Sequence, residues 1–139
     1  MSKIRLNNDT EQLLAVWVEP LGEDYWMRPD EQFTLTALDA GSGDPDEVPF
    51  DVVVHDQGIS VWVNVGFQAV VRDRSGTPVD CGHQRPVEVL RKWTRAAEEA
   101  ARGTTDSPAA RESAREYAEQ MRRALARAEA DAGGTEREQ

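Results

Sequence analysis

The sequence predicts an α+β protein: an antiparallel β-sandwich of seven to eight short strands over residues 1–85, followed by a segment of two helices. Three observations predict it. Up to Pro86, β-branched and aromatic residues alternate with polar ones in short runs, the period of half-buried strands. Turn residues break those runs at close spacing, as in sandwiches and small barrels. Beyond Pro86 the chain turns to Ala, Glu and Arg, with no Ile or Phe.

In chain order the strands fall at 3–7 (Ile4 and Leu6 inward), 12–19 (Leu14, Val16 and Val18 inward), 24–28, 32–38 (Phe33, Leu35 and Ala37 inward), 50–55, 59–65 (Val61, Val63 and Val65 one way) and 67–73, with a short eighth at 78–81. "EPLGED", "RPDE", "HDQGI" and "RSGTP" are connections of the hairpin kind. "DAGSGDPDEVP", residues 39–49, is a longer loop. The first helix spans about 86–102. Pro86 suits a first helical position, and Leu90, Trp93, Ala97 and Ala100 share one face. Gly103 and "TTDS" stop it. The second helix spans about 108–131, with Ser107 as N-cap and Pro108 in the first turn. Its face is Ala110, Ala114, Tyr117, Met121, Ala124 and Ala128. Gly133 and Gly134 are expected to end it, leaving 133–139 as a disordered tail.

The 139 residues fit a sandwich (1–85) with a helical extension (86–132) packing at least partly on it. The net charge of −10 is unevenly spread: residues 1–85 hold 6 Lys/Arg against 15 Asp/Glu, and residues 86–139 hold 10 against 11. An acidic sandwich repels phosphate backbones, so nucleic acid is not an expected partner. The start "MSKIRLNNDT" has no signal-peptide pattern, no run approaches a membrane span, and Cys81 is the single cysteine. A cytoplasmic protein is the expectation.

Trp17 and Trp62 alternate out of phase with the inward valines, and Trp26 is out of phase with Tyr25 and Met27. They therefore belong on the outer face of a sheet. Three indoles side by side approach ~500 Å² of apolar surface, near the largest patch a monomer tolerates. The helix carrying Leu90 and Trp93 follows the last strand directly and is expected to fold back over this aromatic face. Two further uses of such a face are a protein interface and a platform for stacking a small ligand.

For chemistry, "DCGHQRP" offers Cys81 and His83, and "VVVHDQG" offers His55. These are the only thiol and imidazoles in the chain. A zinc site built on them needs a fourth ligand, for which Asp56 and Asp80 stand near. The blue-copper spacing, which they resemble only loosely, lacks its methionine: none follows until Met121. The alternative makes Cys81 a small buried thiol, with His83 and Gln84 bonding backbone groups. A Cys81–His83 nucleophile pair lacks a third orienting group. Glu19, Glu23 and Asp24 cluster on a turn, as solvated acidic turns do, and Asp44, Asp46 and Glu47 lack calcium-loop spacing.

The order "VEPLGEDYWMRPDEQFTL…PFDVVVHDQGISVWV…CGHQRP" resembles small β-rich proteins of high-GC Gram-positive bacteria that have no known activity, and the 14 Arg to 2 Lys fit such a source. The likeness covers residues 4–86 and implies a β-rich fold alone. The function expected is non-catalytic: an interaction or accessory protein without a cofactor, which binds a protein partner or itself. Tyr117, Met121 and Leu125 on the second helix form its partner surface. The alternative is a metal- or small-molecule-binding sandwich using His55, Cys81 and His83.

Overall fold

The computed structural model describes residues 1–103 and 107–138. It contains seven strands and two helices: β1 (Lys3–Asn7), β2 (Leu14–Glu19), β3 (Glu23–Met27), β4 (Gln32–Ala37), β5 (Phe50–His55), β6 (Gly58–Val63), β7 (Ala69–Arg72), α1 (Val87–Gly103) and α2 (Pro108–Glu138). The chain divides into two compact units, Met1–Arg85 and Pro86–Gln139. The strands belong to the first and the helices to the second. Among the described residues, no helix is long and apolar enough to cross a membrane.

In the first unit a three-stranded sheet, β1-β4-β7, and a four-stranded sheet, β3-β2-β6-β5, share one core. The period-2 alternation of each strand fills it. Val16 and Val18 come from β2, Tyr25 and Met27 from β3, Phe33, Leu35 and Ala37 from β4, Val61 and Val63 from β6, and Val71 from β7; Ile4 and Leu6 of β1 pack against them. Between the named strands all pairings are antiparallel but one: β2 runs parallel to β6, with Val16 opposite Ile59 and Val18 opposite Val61. The expected α+β arrangement of an antiparallel sandwich followed by two helices is present, and this pair is its one departure among the named strands. The hairpins β2–β3 and β5–β6 dock through β2 and β6, whose directions then coincide. Both strands lie inside the sheet, where parallel pairs occur. The expected eighth strand is only a single bridge, Arg72 to Pro78, with Val79 N–H donating to Val71 O at 2.9 Å.

In the second unit α1 and α2 form an antiparallel hairpin. Arg91 pairs with Glu129 and Arg122 with Glu98, both at 3.3 Å. Ser107 caps α2, its Oγ accepting from Ala110 N–H at 3.1 Å. Two expectations change here. The buried position of the first half of α2 is Ala118, while Tyr117 is 55% exposed. Helices that approach closely bury small side chains at the seam and turn large ones outward. The helix also runs through Gly133–Gly134 to Glu138. Helical glycine costs only about 1 kcal/mol against alanine and does not by itself break the backbone ladder. Of the expected disordered tail, Gln139 lies outside the described residues, as do residues 104–106 of the "TTDS" stop.

Candidate functional site

The outer faces of the two sheets differ in chemistry. On the smaller sheet Arg5, Thr34 and Arg72 stand in one cross-strand row, a polar surface. On the larger sheet the rows read Asp24, Trp17, Ser60, Val53 and then Glu19, Trp62, Asp51. Trp26 lies across from Ala15 on the same face. The sequence expectation of three indoles on one outer face therefore agrees with the strand register. Their exposure differs. Trp17 and Trp26 are half-buried, while Trp62 is 43% exposed. Trp62 stands in its row between Glu19 and Asp51. Trp93 of α1 is half-buried.

An acid on an apolar face needs a cation, and Asp24 has one. Its side chain is 3% exposed and forms a two-pronged pair with Arg85, the Nε–Oδ2 distance being 2.7 Å. Trp26 Nε1 donates to the same Oδ2 at 2.8 Å, and the Cys81 thiol donates to Oδ1. Burial pushes the Asp24 carboxyl up, but the hydrogen bonds from Arg85 and Trp26 outweigh it and hold its pKa below the ordinary value. The same bonding raises Arg85.

The segment carrying these groups also closes the free edge of β3. Trp26 N–H donates to His83 O at 2.8 Å, and Gly82 N–H donates to Asp24 O at 2.6 Å. Gln84 Nε2 donates to Trp26 O at 2.7 Å and to Glu31 Oε1 at 2.8 Å. One edge of the larger sheet is thus paired and tied down by side chains. Its opposite edge, β5, is not: Val52 is 45% exposed, Val53 48% and Val54 79%. Val52 and Val54 lie in register with Val61 and Ile59, on the core side. They stay exposed because four strands face three, which leaves β5 uncovered.

The expected metal ligands do not meet. His55 ends β5, while Cys81 and His83 flank β3. Three interstrand spacings separate those edges, about 14 Å. Cys81 and His83 also diverge. The thiol meets Asp24, and the His83 ring packs edge-on to Phe33 with centroids 5.7 Å apart. Among the described residues, no group of three His, Cys, Asp or Glu could hold a metal. Strand order therefore holds His55 away from Cys81 and His83. The reading of Cys81 as a buried thiol is corrected, since the residue is exposed.

Nor does the cluster assemble a nucleophile or an acid–base pair. Although the residue as a whole is exposed, partial desolvation of its sulfur beside Asp24 raises the Cys81 thiol, outweighing the opposing Asp24 backbone hydrogen bond and the Arg85 charge, so the thiolate is disfavoured. Asp24 is committed to Arg85, Glu23 accepts from Tyr25 OH at 2.7 Å, and Glu19 stands across from Trp62. Burial and Glu23 hold the Tyr25 phenol protonated well above its usual range. Asp44 and Glu47 accept hydrogen bonds from their own loop at Asp46 N–H and Ser42 N–H.

On the helical unit, Tyr117 is exposed while Met121 and Leu125 are half-buried. Leu125 lines a groove of about 340 Å³ between α1 and α2, with Thr94 and Arg91 opposite. The three residues therefore do not form one uniformly exposed stripe. Arg85 is the site residue missing from the sequence expectation; Asp24 was expected only as part of a solvated acidic turn, and Gln84 bonds a backbone group as expected. The signal for Asp24 was its phase, which places it beside Trp17 and demands a cation. Nothing local marks Arg85 as that cation.

Comparison of the chain with known protein families, curated proteins and solved structures finds no match.

Proposed function

We propose that this chain is a small non-catalytic interaction protein of the cytoplasm, binding another protein or a second copy of itself through the outer face of its larger sheet and its helical extension. The observation that carries the reading is the exposed apolar surface at one corner of the larger sheet, Trp62 with Val53 diagonal to it, set against a polar outer face on the other sheet. A large exposed indole next to aliphatic side chains is the composition of an interface centre. Tyr117 is the contact offered by α2. The static Asp24–Arg85 pair supports a scaffold rather than a proton-transfer site, and the acidity of residues 1–85 disfavours nucleic acid. A single cysteine suits a reducing compartment.

Trp62→Ser tests the reading. The ring lies outside the core, so stability is expected to change by less than about 1 kcal/mol. Affinity for a partner co-purified with the wild-type protein, or for a second copy, is expected to fall at least about tenfold by calorimetry. A wild-type protein that binds neither, or a variant that binds equally well, contradicts the proposal.

A further inference from the structure

The sheet edges of the first unit are guarded unequally. Segment 82–84 pairs with β3, residues 77–79 pair with β7, and β1 carries Lys3 and Arg5. Positive charge, short length and covering segments are the usual protections of an edge strand. The β5 sequence, Phe50–His55, has no lysine and no proline, shows three exposed valines in a row, and among the described residues pairs only with β6.

The backbone phase of β5 follows from one contact. Asn64 N–H donates to Pro49 O at 2.9 Å, and the register pairs Asp51 with Trp62, Val53 with Ser60 and His55 with Gly58. In an antiparallel ladder bonded and non-bonded pairs alternate. The backbone groups of Asp51, Val53 and His55 therefore face β6. Those of Val52 and Val54 face outward.

We propose that this edge is a two-fold seam, on which β5 of a second copy pairs antiparallel with Val53 opposite the second copy's Val53. The inference deepens the interaction reading above and rests on it. In this register Val52 meets Val54 of the second copy as a bonded pair, so the outward amides and carbonyls of both valines find partners. Each exposed valine meets a valine. Each Asp51 meets a His55, an imidazole rather than a carboxylate. Moving the centre to Val52 sets Asp51 against a valine, and moving it to Asp51 sets the two carboxylates against each other. Both side chains are already held: Asp51 Oδ2 accepts from Asn64 Nδ2 at 2.7 Å, and His55 Nε2 lies 2.8 Å from Ser60 Oγ. The result joins two four-stranded sheets into one, by an isologous contact that closes on itself. One strand pair buries less than a standard interface, so micromolar association is expected. Each copy carries −10, so screening the mutual repulsion with salt strengthens it.

Sedimentation equilibrium of the full chain over roughly a hundredfold concentration range, at low and at high salt, tests the seam. The wild-type mass is expected to climb from 15.5 kDa toward twice that value, more steeply at high salt. Val54→Lys, at a position 79% exposed, is expected to weaken association at least about tenfold with unchanged thermal unfolding. Val52→Pro removes an outward amide and is expected to do the same; where proline disturbs folding, Val54→Lys decides. A wild-type chain that stays monomeric at both salts overturns the seam. Association that survives Val54→Lys but not Trp62→Ser overturns it too, and leaves the interaction reading standing on the outer face. A monomeric chain whose Val52 and Val54 amide signals shift on adding a synthetic peptide of alternating Lys and Val, less so at high salt, replaces the second copy with a basic strand.

Discussion

Arg85→Ala is expected to cost about 3 kcal/mol of stability at neutral pH and to reverse the contribution of Asp24 to the acid response. Removing the guanidinium leaves a carboxylate that is 3% exposed without its charge partner. Breaking such a pair from one side is far more damaging than losing a surface pair, because the buried charge remains. In the wild-type protein the Asp24 pKa lies below the ordinary value of an aspartate carboxyl. Its stabilising contribution is therefore present above that value and is lost as the pH falls through the lower folded-state value. In the variant burial dominates and raises the folded-state pKa. The folded state then takes up the proton more readily than the unfolded chain, so the deficit relative to wild type shrinks as the pH is lowered from 7 toward 4. Urea unfolding at several pH values, followed by tryptophan fluorescence, measures both effects. A loss below about 1 kcal/mol with no change in pH response would mean that the pair behaves as a surface pair.

Gly58→Ala is expected to cost about 3 kcal/mol or more, and Gly22→Ala about 1. Both glycines have positive φ, +134° at Gly58 and +68° at Gly22. They differ in what a methyl group would meet. At Gly22 there is nothing within 4 Å; at Gly58 it lands on the backbone carbonyl oxygen of Ala15. Gly58 opens β6 beside β2, so the carbonyl belongs to the neighbouring strand of the parallel pair. A backbone atom held on both sides by a sheet cannot swing aside as a side-chain tip can. The difference between the two denaturation midpoints isolates that close approach, and equal losses would mean that β2 and β6 do not meet so tightly.

Much of the fold was legible because its signals are local. The inward sets Leu14, Val16 and Val18, Phe33, Leu35 and Ala37, and Val61 and Val63 follow from alternation alone, and each packs in or against the core. The outward phase of Trp17, Trp26 and Trp62 was legible for the same reason. What required the structure is non-local. The β2–β6 pairing joins strands more than forty residues apart, and no periodicity specifies the partner or its direction. Asp24 and Arg85 are 61 residues apart, so the pair that locks the β3 edge leaves no spacing to read. The sequence places Val52–Val54 in a strand at 50–55, and their exposure at the sheet edge depends on the strand order, which no local signal carries. On α2 a three–four step admits Tyr117 or Ala118 almost equally, and close helix packing chose the alanine.

The larger sheet is closed at β3 and open at β5. Amide hydrogen exchange of the native protein at low concentration tests this most directly. Trp26, bonded to His83 O, and Val53, facing β6, are expected to exchange slowly, while Val52 and Val54 exchange close to the unprotected rate. Protection of Val52 and Val54 in the dilute monomer, or a Trp26 amide exchanging as fast as theirs, would contradict it.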